Sequence, residues 1–265
     1  MARAKRVLIT GASSGIGRAT AKLLADKGWQ VIAVARRADK LEELAAHPNI
    51  TPHQVDITDD ASVAALAEAV AEGGPIDTLI NNAGAAFGFD SVENSSIEDW
   101  RGMFELNVIG TKRMISTFLP SLRMAAEASG MADIVSVTST AAFTPYENGG
   151  GYNAAKYAEH AMMQVLRLEL NGEPIRVIDI APGMVKTDEF TLKRFGGDKA
   201  RMEKLYEDVD GPLTAEDVAS SIVATLELPP HVNVDLLTVK PVAQSAQHKT
   251  FRGKLQVRQG DSSNQ

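Results

Sequence analysis

The chain has 265 residues, of which 44 % are hydrophobic and 23 % charged, and its formal net charge is −7. This length suffices for one large domain or two small ones. An acidic total without a basic stripe argues against nucleic acid and anionic membranes, and we expect neither as a partner. The chain has no cysteine, which excludes disulfides and thiol chemistry and is consistent with a cytoplasmic protein.

Neither a membrane segment nor a metal site is indicated. The apolar run in the opening MARAKRVLIT is too short for a signal peptide, and no run of about 18 apolar residues predicts a transmembrane helix. The five histidines are scattered, with no His-Glu-x-x-His spacing. We therefore predict no bound metal.

Short apolar runs and helical patterns alternate along the chain. β-rich apolar runs predict strands at Arg6–Thr10, Gln30–Ala35, Ile50–Val55, Ile76–Ile80, Ala132–Val137, Ile175–Ile180 and Asn233–Val239. Helices are predicted at Arg18–Lys27, Lys40–Ala46, Ala61–Ala71, Ile97–Met124, Ala215–Leu226 and within Gly149–Leu170. The alternation is typical of a doubly wound parallel sheet with helices on both faces, so we predict a single-domain, Rossmann-like α/β fold.

Three details concern the second half of the chain. Pro120 is expected to break or bend the long helix. The polar stretch Thr187–Asp208 predicts short helices that form a lid, at about residues 187–210. We place the domain at residues 1–243 and a polar tail at 244–265, whose tip GDSSNQ is expected to be mobile.

A glycine-rich turn, TGASSGIG, joins the first strand to the first helix. Gly11, Gly15 and Gly17 let the backbone turn sharply and approach a ligand closely. The helix start offers unpaired N–H groups and the positive end of its dipole to a pyrophosphate. The spacing is not the usual dinucleotide fingerprint, and a plain tight turn is the alternative, but a dinucleotide site requires this position between strand and helix.

Two arginines follow the second strand. An acidic residue there would hold the free ribose hydroxyl of NAD, but the chain has Arg36 and Arg37. Guanidinium groups suit a phosphate, so we predict NADP, with one of the two on its 2′-phosphate. Two solvated arginines are the alternative.

Tyr152 and Lys156 are four residues apart in a helical pattern and so share one helix face. A nearby cation favours the phenolate and lowers the pKa of a tyrosine, which makes the phenol a usable general acid and base. A half-buried ring beside a solvated amine is the alternative if the pair is considered alone.

Further motifs occur in a fixed order. NNAG spans Asn81–Gly84, Asn107 lies in the long helix, Ser139 precedes Tyr152 by thirteen residues, and Pro182-Gly183 is followed by Thr187. With the glycine turn and the Tyr-x-x-x-Lys pair, the chain from about Arg6 to Pro241 resembles the classical short-chain dehydrogenases/reductases. The resemblance implies reversible hydride transfer between NADP(H) and a secondary alcohol or carbonyl.

The resemblance also implies roles for individual residues. Tyr152 would exchange the proton, Lys156 would lower the Tyr152 pKa and bind the nicotinamide ribose, and Ser139 would polarise the reacting oxygen. Asn107 would hold a water that links Lys156 to solvent. Without the resemblance, Ser139 and Asn107 would be read as local hydrogen-bonding residues. The implied cofactor-binding residues are Gly11, Ser13, Ser14, Gly15, Ile16, Gly17, Arg36, Arg37, Asp56, Ile57, Asn82, Ala83, Gly84, Tyr152, Lys156, Pro182, Gly183, Val185 and Thr187, with Asp56 at the adenine.

A narrower resemblance lies near the C-terminal end. The segments PGMVKTDEF, KRFGGDK, LTAEDVASSI and LPPHVNVDLLTVKPVAQS are similar to the NADP-dependent 3-hydroxy acid (serine-type) dehydrogenases. This implies a small 3-hydroxy acid such as serine, or its semialdehyde or 3-oxo counterpart, and a homotetramer or homodimer. Arg194 is our hypothesis for the group that binds the substrate carboxylate, with a solvated loop arginine as the alternative. Phe143, Glu147 and Asn148 do not fit the subgroup pattern.

Two other functions stay open. The motifs report cofactor and proton chemistry, so a ketoreductase for a larger neutral or acyl-carrier-bound 3-oxo substrate would carry the same residues. A protein that senses NADP without turnover would use the same fold. Such a protein would be expected to lose Ser139, Tyr152 or Lys156, and none of these is lost.

Overall fold

A seven-stranded sheet forms the centre of the molecule. The computed structural model describes residues 3–257, except for the side chain of Asp188. The strands of the sheet are β1 Arg6–Thr10, β2 Gln30–Ala35, β3 Ile50–Gln54, β4 Thr78–Asn81, β5 Ala132–Val137, β6 Ile175–Pro182 and β7 Leu236–Val239. They pair in parallel in the order β3-β2-β1-β4-β5-β6-β7. Because β1 lies between β2 and β4, the order of the strands reverses at this point of the sheet. A crevice opens there, at the carboxyl ends of β1 and β4.

Helices cover both faces of this sheet. They are α1 Gly15–Asp26, α2 Ala38–Ala45, α3 Asp60–Ala71, α4 Ile97–Phe104, α5 Thr111–Ser129, α6 Gly150–Glu169, α7 Asp188–Arg194, α8 Lys199–Tyr206 and α9 Ala215–Leu226. On one face Leu66 of α3, Phe118 of α5 and Met163 of α6 are buried in one core cluster. On the other, α1, α2 and α9 contribute Leu24, Leu41 and Ile222 to a second cluster. The predicted doubly wound α/β fold is confirmed.

The long predicted helix differs from the expectation. It is interrupted by a π-helical segment at Glu105–Gly110, between α4 and α5, and it continues to Ser129 instead of ending at Met124. Asn107 accounts for the irregular turn, because its amide donates to the carbonyl oxygens of Met103 and Ala85 at 2.7 and 2.9 Å.

Pro120 was predicted to break or bend the long helix; α5 continues through Pro120 without a break, and the bend stays a prediction. Proline removes the hydrogen bond to the carbonyl of the residue four positions earlier, here Ser116. Pro120 and Ser116 are both exposed, so water can satisfy that carbonyl.

The edge strand β7 begins three residues later than predicted, at Leu236. The side chain of Asn233 accepts a hydrogen bond from the backbone N–H of Val177 at 3.0 Å and takes the place of a backbone partner there. Within residues 3–257 no helix is long and apolar enough to span a membrane.

The first part of the predicted tail folds back onto the body as a hairpin. It consists of β8 Gln244–Ala246 and β9 Lys249–Thr250. Gln244 is buried, and its Oε1 accepts the backbone N–H of Met184 at 2.8 Å. The sequence analysis did not anticipate this hairpin. The tip GDSSNQ, predicted to be mobile, lies outside the described residues.

Candidate active site

A cleft of about 1160 Å³ opens at the carboxyl ends of the strands, where the topology places a ligand crevice. Most residues predicted to bind the cofactor line it. These are Gly11, Ser13, Ser14, Gly15, Ile16, Arg36, Arg37, Asp56, Ile57, Asn82, Ala83, Gly84, Tyr152, Lys156, Pro182, Gly183, Val185 and Thr187, together with Ser139. Gly17, Asn107 and Arg194 lie next to the cleft and are not part of its lining.

The glycine turn is packed so tightly that side chains would not fit. Gly11 has a φ of +68°, and a Cβ there would lie 2.8 Å from the Asn82 Nδ2 atom. A Cβ on Gly17 would lie 2.4 Å from the same atom. Asn82 in turn donates to the carbonyl of Thr10 at 3.0 Å. The turn is therefore held against the end of β4, as the close approach of a backbone to a phosphate requires.

The helix behind this turn starts earlier than predicted, at Gly15 instead of Arg18. Its N-cap residue, Ser14, makes no side-chain capping bond. The Ser14 hydroxyl therefore does not accept a hydrogen bond from the first N–H groups of α1. These groups can instead donate to the oxygens of a pyrophosphate.

Positive charge collects where the cleft passes the end of β2. The Arg37 Nη2 atom lies 2.9 Å from Ser13 Oγ and 2.6 Å from a carboxylate oxygen of Glu189, on α7. That carboxylate raises the pKa of Arg37. Burial, with Arg36 and Arg37 nearby, lowers the pKa of Lys193. Burial is the main cause of this shift, and the two guanidinium groups add to it. Three cationic side chains therefore lie near one another, an arrangement that fits a phosphate group.

The other end of the cleft holds the predicted proton-transfer residues. Tyr152 and Lys156 lie one turn apart on α6 and are 8 % and 4 % exposed. The Lys156 ammonium is 6.0 Å from the centre of the Tyr152 ring. Ser139 follows β5, and its Oγ accepts the backbone N–H of Ala141 at 3.1 Å, so its hydroxyl proton is not used by that bond. The fold thus brings all three side chains to one wall of the cleft.

Lys156 is held by a partner that the sequence analysis missed. Its Nζ donates to Glu159 at 2.7 Å and to the carbonyl of Val137 at 3.1 Å. Burial would lower the pKa of Lys156, but the charge of Glu159, helped by Tyr152, raises it above its ordinary value. Burial raises the pKa of Glu159 to about 7, although Lys156 opposes this. A carboxylate three residues after the lysine was the available signal, since both then lie on one helix face.

Asn107 is fully buried beside this group. A Cβ on Gly84 would lie 2.6 Å from Asn107 Oδ1 and 3.4 Å from Lys156 Nζ, so the two side chains flank Gly84. Both N–H donors of the Asn107 amide are committed to the Met103 and Ala85 carbonyls, and its oxygen accepts the N–H of Ala85. The predicted role of Asn107 in holding a water stays a prediction.

Arg194 lies over the Tyr152 ring. Its guanidinium carbon is 5.5 Å from that ring centre, 5.0 Å from the centre of Tyr146 and 4.9 Å from that of Phe89. Its Nε and Nη2 atoms are buried and have no hydrogen-bond partner within residues 3–257. Burial raises the pKa of Tyr146 to about 12, only partly opposed by Arg194. A buried guanidinium with unpaired donors is costly, and an anionic ligand would satisfy it.

The sequence analysis also missed the aromatic groups around Arg194. Phe190 meets the Tyr152 ring edge-on at 5.8 Å, and Phe89 lies between the guanidinium groups of Arg194 and Arg201, the latter at 5.1 Å. No periodic pattern marks these residues, because they come from separate loops and short helices.

Comparisons with known proteins agree with this geometry. Residues 5–194 match the family described as short chain dehydrogenase. The chain belongs to the short-chain dehydrogenase family. It is 46 % identical over 243 residues to an uncharacterized oxidoreductase of Mycobacterium tuberculosis, covering 91 % of this chain and 93 % of that protein. It is 39 % identical over 242 residues to serine 3-dehydrogenase of Agrobacterium fabrum, covering 90 % and 94 %.

A solved structure extends the likeness to the whole short-chain dehydrogenase domain. The closed form of a serine dehydrogenase, complexed with NADP+, superposes with a TM-score of 0.86 at 35 % identity. The match covers 96 % of this chain and all of that chain. The similarity to serine-type dehydrogenases is therefore confirmed, and this chain is a short-chain dehydrogenase/reductase-type oxidoreductase.

Proposed function

We propose that this oxidoreductase uses NADP(H) to interconvert a small 3-hydroxy acid, such as serine, and its semialdehyde or 3-oxo counterpart. The observation that carries the substrate class is Arg194, whose buried, unpaired Nε and Nη2 lie beside the Tyr152 ring. A carboxylate can accept from both nitrogens at once. The substrate hydroxyl or carbonyl would then be directed toward Tyr152.

The cleft supplies the groups that NADP(H) needs. The glycine turn and the start of α1 would hold the pyrophosphate. Arg37, with Arg36 beside it, would bind the 2′-phosphate, and Asp56 lies 4.0 Å from Arg36 on the side where the adenine is expected. Serine-type relatives with NADP+ bound support the same cofactor.

The side chains of Tyr152, Lys156 and Ser139 would supply the proton chemistry. When bound, the nicotinamide supplies hydride chemistry, and the protein positions the substrate and handles the proton. Tyr152 would donate its hydroxyl proton to the carbonyl oxygen in reduction and accept the alcohol proton in oxidation. Lys156 would favour the phenolate through its charge, and Ser139 would donate a hydrogen bond to the same oxygen.

A steady-state substrate scan tests the proposal. NADP+ reduction is followed with serine, 3-hydroxyisobutyrate and 3-hydroxypropionate, and NADPH oxidation with malonic semialdehyde and acetoacetyl thioesters. We expect Arg194→Gln to raise the KM for acidic substrates by about 10- to 100-fold, the worth of a hydrogen bond to a charged group, and to spare neutral alcohols.

The control for this scan is Arg101→Gln, since Arg101 is an exposed arginine whose side chain pairs with Glu98 on the surface. It should leave every KM unchanged. If Arg194→Gln changes the KM of acidic and neutral substrates equally, Arg194 does not bind the substrate carboxylate. Preferential turnover of neutral thioesters would favour the ketoreductase, and NADPH binding without any turnover would favour a sensing protein.

We also propose that the protein assembles as a homodimer or homotetramer. Apolar side chains are exposed on the outer face of α5 and α6, among them Met124 at 60 % and Leu168 at 76 %. A two-fold axis would bring the same surface of two copies together and bury these groups.

A further inference from the structure

The Lys156–Glu159 pair is one of the most deeply buried charged pairs in the described part of the chain. The side chains are 5 % and 2 % exposed, and their charged atoms are 2.7 Å apart. A buried ammonium needs a compensating charge, so the pair has an evident structural role. Its position beside Tyr152 gives it a second consequence.

Glu159 takes up part of the bonding capacity of the lysine. An ammonium has three N–H donors. One points to Glu159 and one to the carbonyl of Val137, the last residue of β5, which leaves one donor for the cleft. The ammonium is therefore fixed at two points of the protein before any ligand binds.

Glu159 also brings negative charge to the ammonium group that lies 6.0 Å from the centre of the Tyr152 ring. Lys156 assists deprotonation of Tyr152 through its positive charge, and a carboxylate in contact with Lys156 cancels part of that field. Glu159 is ionised above neutral pH, in the range in which a tyrosine loses its proton.

Other charged groups also face this arrangement, and the guanidinium carbon of Arg194 lies 5.5 Å from the centre of the Tyr152 ring. Asp179 of β6 adds negative charge and raises the pKa of both Lys156 and Glu159. Asp179 is itself bound by His160, with 2.5 Å between the Nδ1 and Oδ2 atoms, and by the hydroxyl of Thr138. Of these groups, Glu159 is the carboxylate that touches Lys156.

We propose that Glu159 is a positioning residue that fixes the Lys156 ammonium at the end of β5 and weakens its electrostatic pull on the Tyr152 phenol. It thereby sets the pH range in which Tyr152 exchanges protons. The inferred effect on the pH dependence of catalysis rests on the proposed function. The inferred effect of Glu159 on the titration of Tyr152 does not, because it concerns the protein without substrate.

The test follows the titration of Tyr152 in the protein without cofactor. Tyrosine is isotope-labelled at Cζ, and the Tyr152 signal is assigned as the one lost in Tyr152→Phe. In Glu159→Gln the midpoint should fall by about one pH unit, because a like charge has been removed while Asp179 still favours the charged form of Lys156. The matched control is Glu169→Gln, an exposed carboxylate on the same helix, which should leave the midpoint unchanged.

A kinetic readout accompanies the titration. The rise of substrate oxidation with pH should move down by the same amount in Glu159→Gln and should stay in place in Glu169→Gln. A midpoint in Glu159→Gln that coincides with wild type would overturn the proposal and leave Glu159 a purely compensating charge. If the midpoint moves but no tested hydroxy acid is oxidised, the proposed function fails and this inference stands.

A second variant covers the case in which Glu159→Gln does not fold. Glu159→Asp keeps the charge and withdraws it by one methylene, so the Tyr152 midpoint should fall by a smaller amount. An unchanged or raised midpoint in Glu159→Asp would also overturn the proposal.

Discussion

Tyr152 lines the cleft, and its ring packs edge-on against that of Phe190. Tyr152→Phe keeps that ring and removes the proton. General acid–base catalysis contributes about 10²- to 10⁴-fold, so we expect kcat to fall by that factor. The Kd for NADPH, measured by fluorescence titration, should be nearly unchanged. Turnover at the wild-type rate would show that another group moves the proton.

In the proposed mechanism Lys156 acts on Tyr152 by charge, so its removal should shift a pH profile. In Lys156→Met the phenolate loses the nearby cation, so the pH at which oxidation rises should increase by about one to three units. The profile of kcat against pH measures this. Lys156→Arg keeps the positive charge and is the variant whose pH profile is compared with that of Lys156→Met. An unmoved profile in Lys156→Met would show that Lys156 does not assist deprotonation of Tyr152.

Glu159 should also make the free energy of unfolding depend on pH. Its pKa rises from an unfolded value of 4.5 to about 7 on folding, so the folded state holds an extra proton between these two pH values. The free energy of unfolding should therefore decrease as pH rises through this window, by roughly 3 kcal/mol. Urea unfolding across the window measures the slope. Glu159→Gln should be less stable overall, because Lys156 loses its partner, but its slope should be shallower.

At the scale of secondary-structure elements, we propose that the turn between β2 and α2 determines the preference for NADP(H). Arg37 lies between the serines of the glycine turn and Glu189 of α7, so a phosphate arriving there would meet a guanidinium already held in place. Arg37→Gln should raise the Kd for NADPH by about tenfold or more and leave that for NADH nearly unchanged. Equal losses for both cofactors would contradict the assignment of the 2′-phosphate site.

Elements differed in how well periodicity predicted them. The strands β4, β5 and β6 are buried along their length because helices cover both faces, and their Leu, Ile and Val residues form short apolar runs that are visible in the sequence. The π-helical turn at Asn107 depends on a bond to Ala85, which is distant in sequence. The C-terminal hairpin depends on Gln247, whose Oε1 lies 2.5 Å from Thr140 Oγ1, and its polar sequence gave no sign of that contact.

At the scale of the whole molecule, the sheet order explains why the site was largely predictable. The cleft residues follow the carboxyl ends of parallel strands, so Gly11, Ser139 and Pro182 are brought together by topology alone. Their motifs have fixed spacing in the sequence. Phe89 has no such spacing rule. Glu159 has helical spacing from Lys156, but that spacing did not predict that the fold buries both side chains.

The outer face of α5 and α6 determines the expected assembly. Val165 and Leu168 on α6 are exposed at 51 % and 76 %, and Met124 on α5 at 60 %. Leu168→Glu would place a charge in the middle of an isologous interface, twice for each two-fold axis, where it would be buried without a partner. We expect this variant to lower the molar mass measured by light scattering to a smaller species.

Val92→Glu is the control for that experiment, because Val92 is 71 % exposed and lies against Gly150 at the start of α6. That position is about 27 Å along the helix from Leu168. It should leave the molar mass unchanged. The residues proposed to bind the cofactor belong to one chain, so Leu168→Glu should retain NADPH binding even when it dissociates. A molar mass equal to that of wild type in both variants would exclude this face as the interface. Loss of NADPH binding together with dissociation would instead mean that the cleft depends on contact between copies.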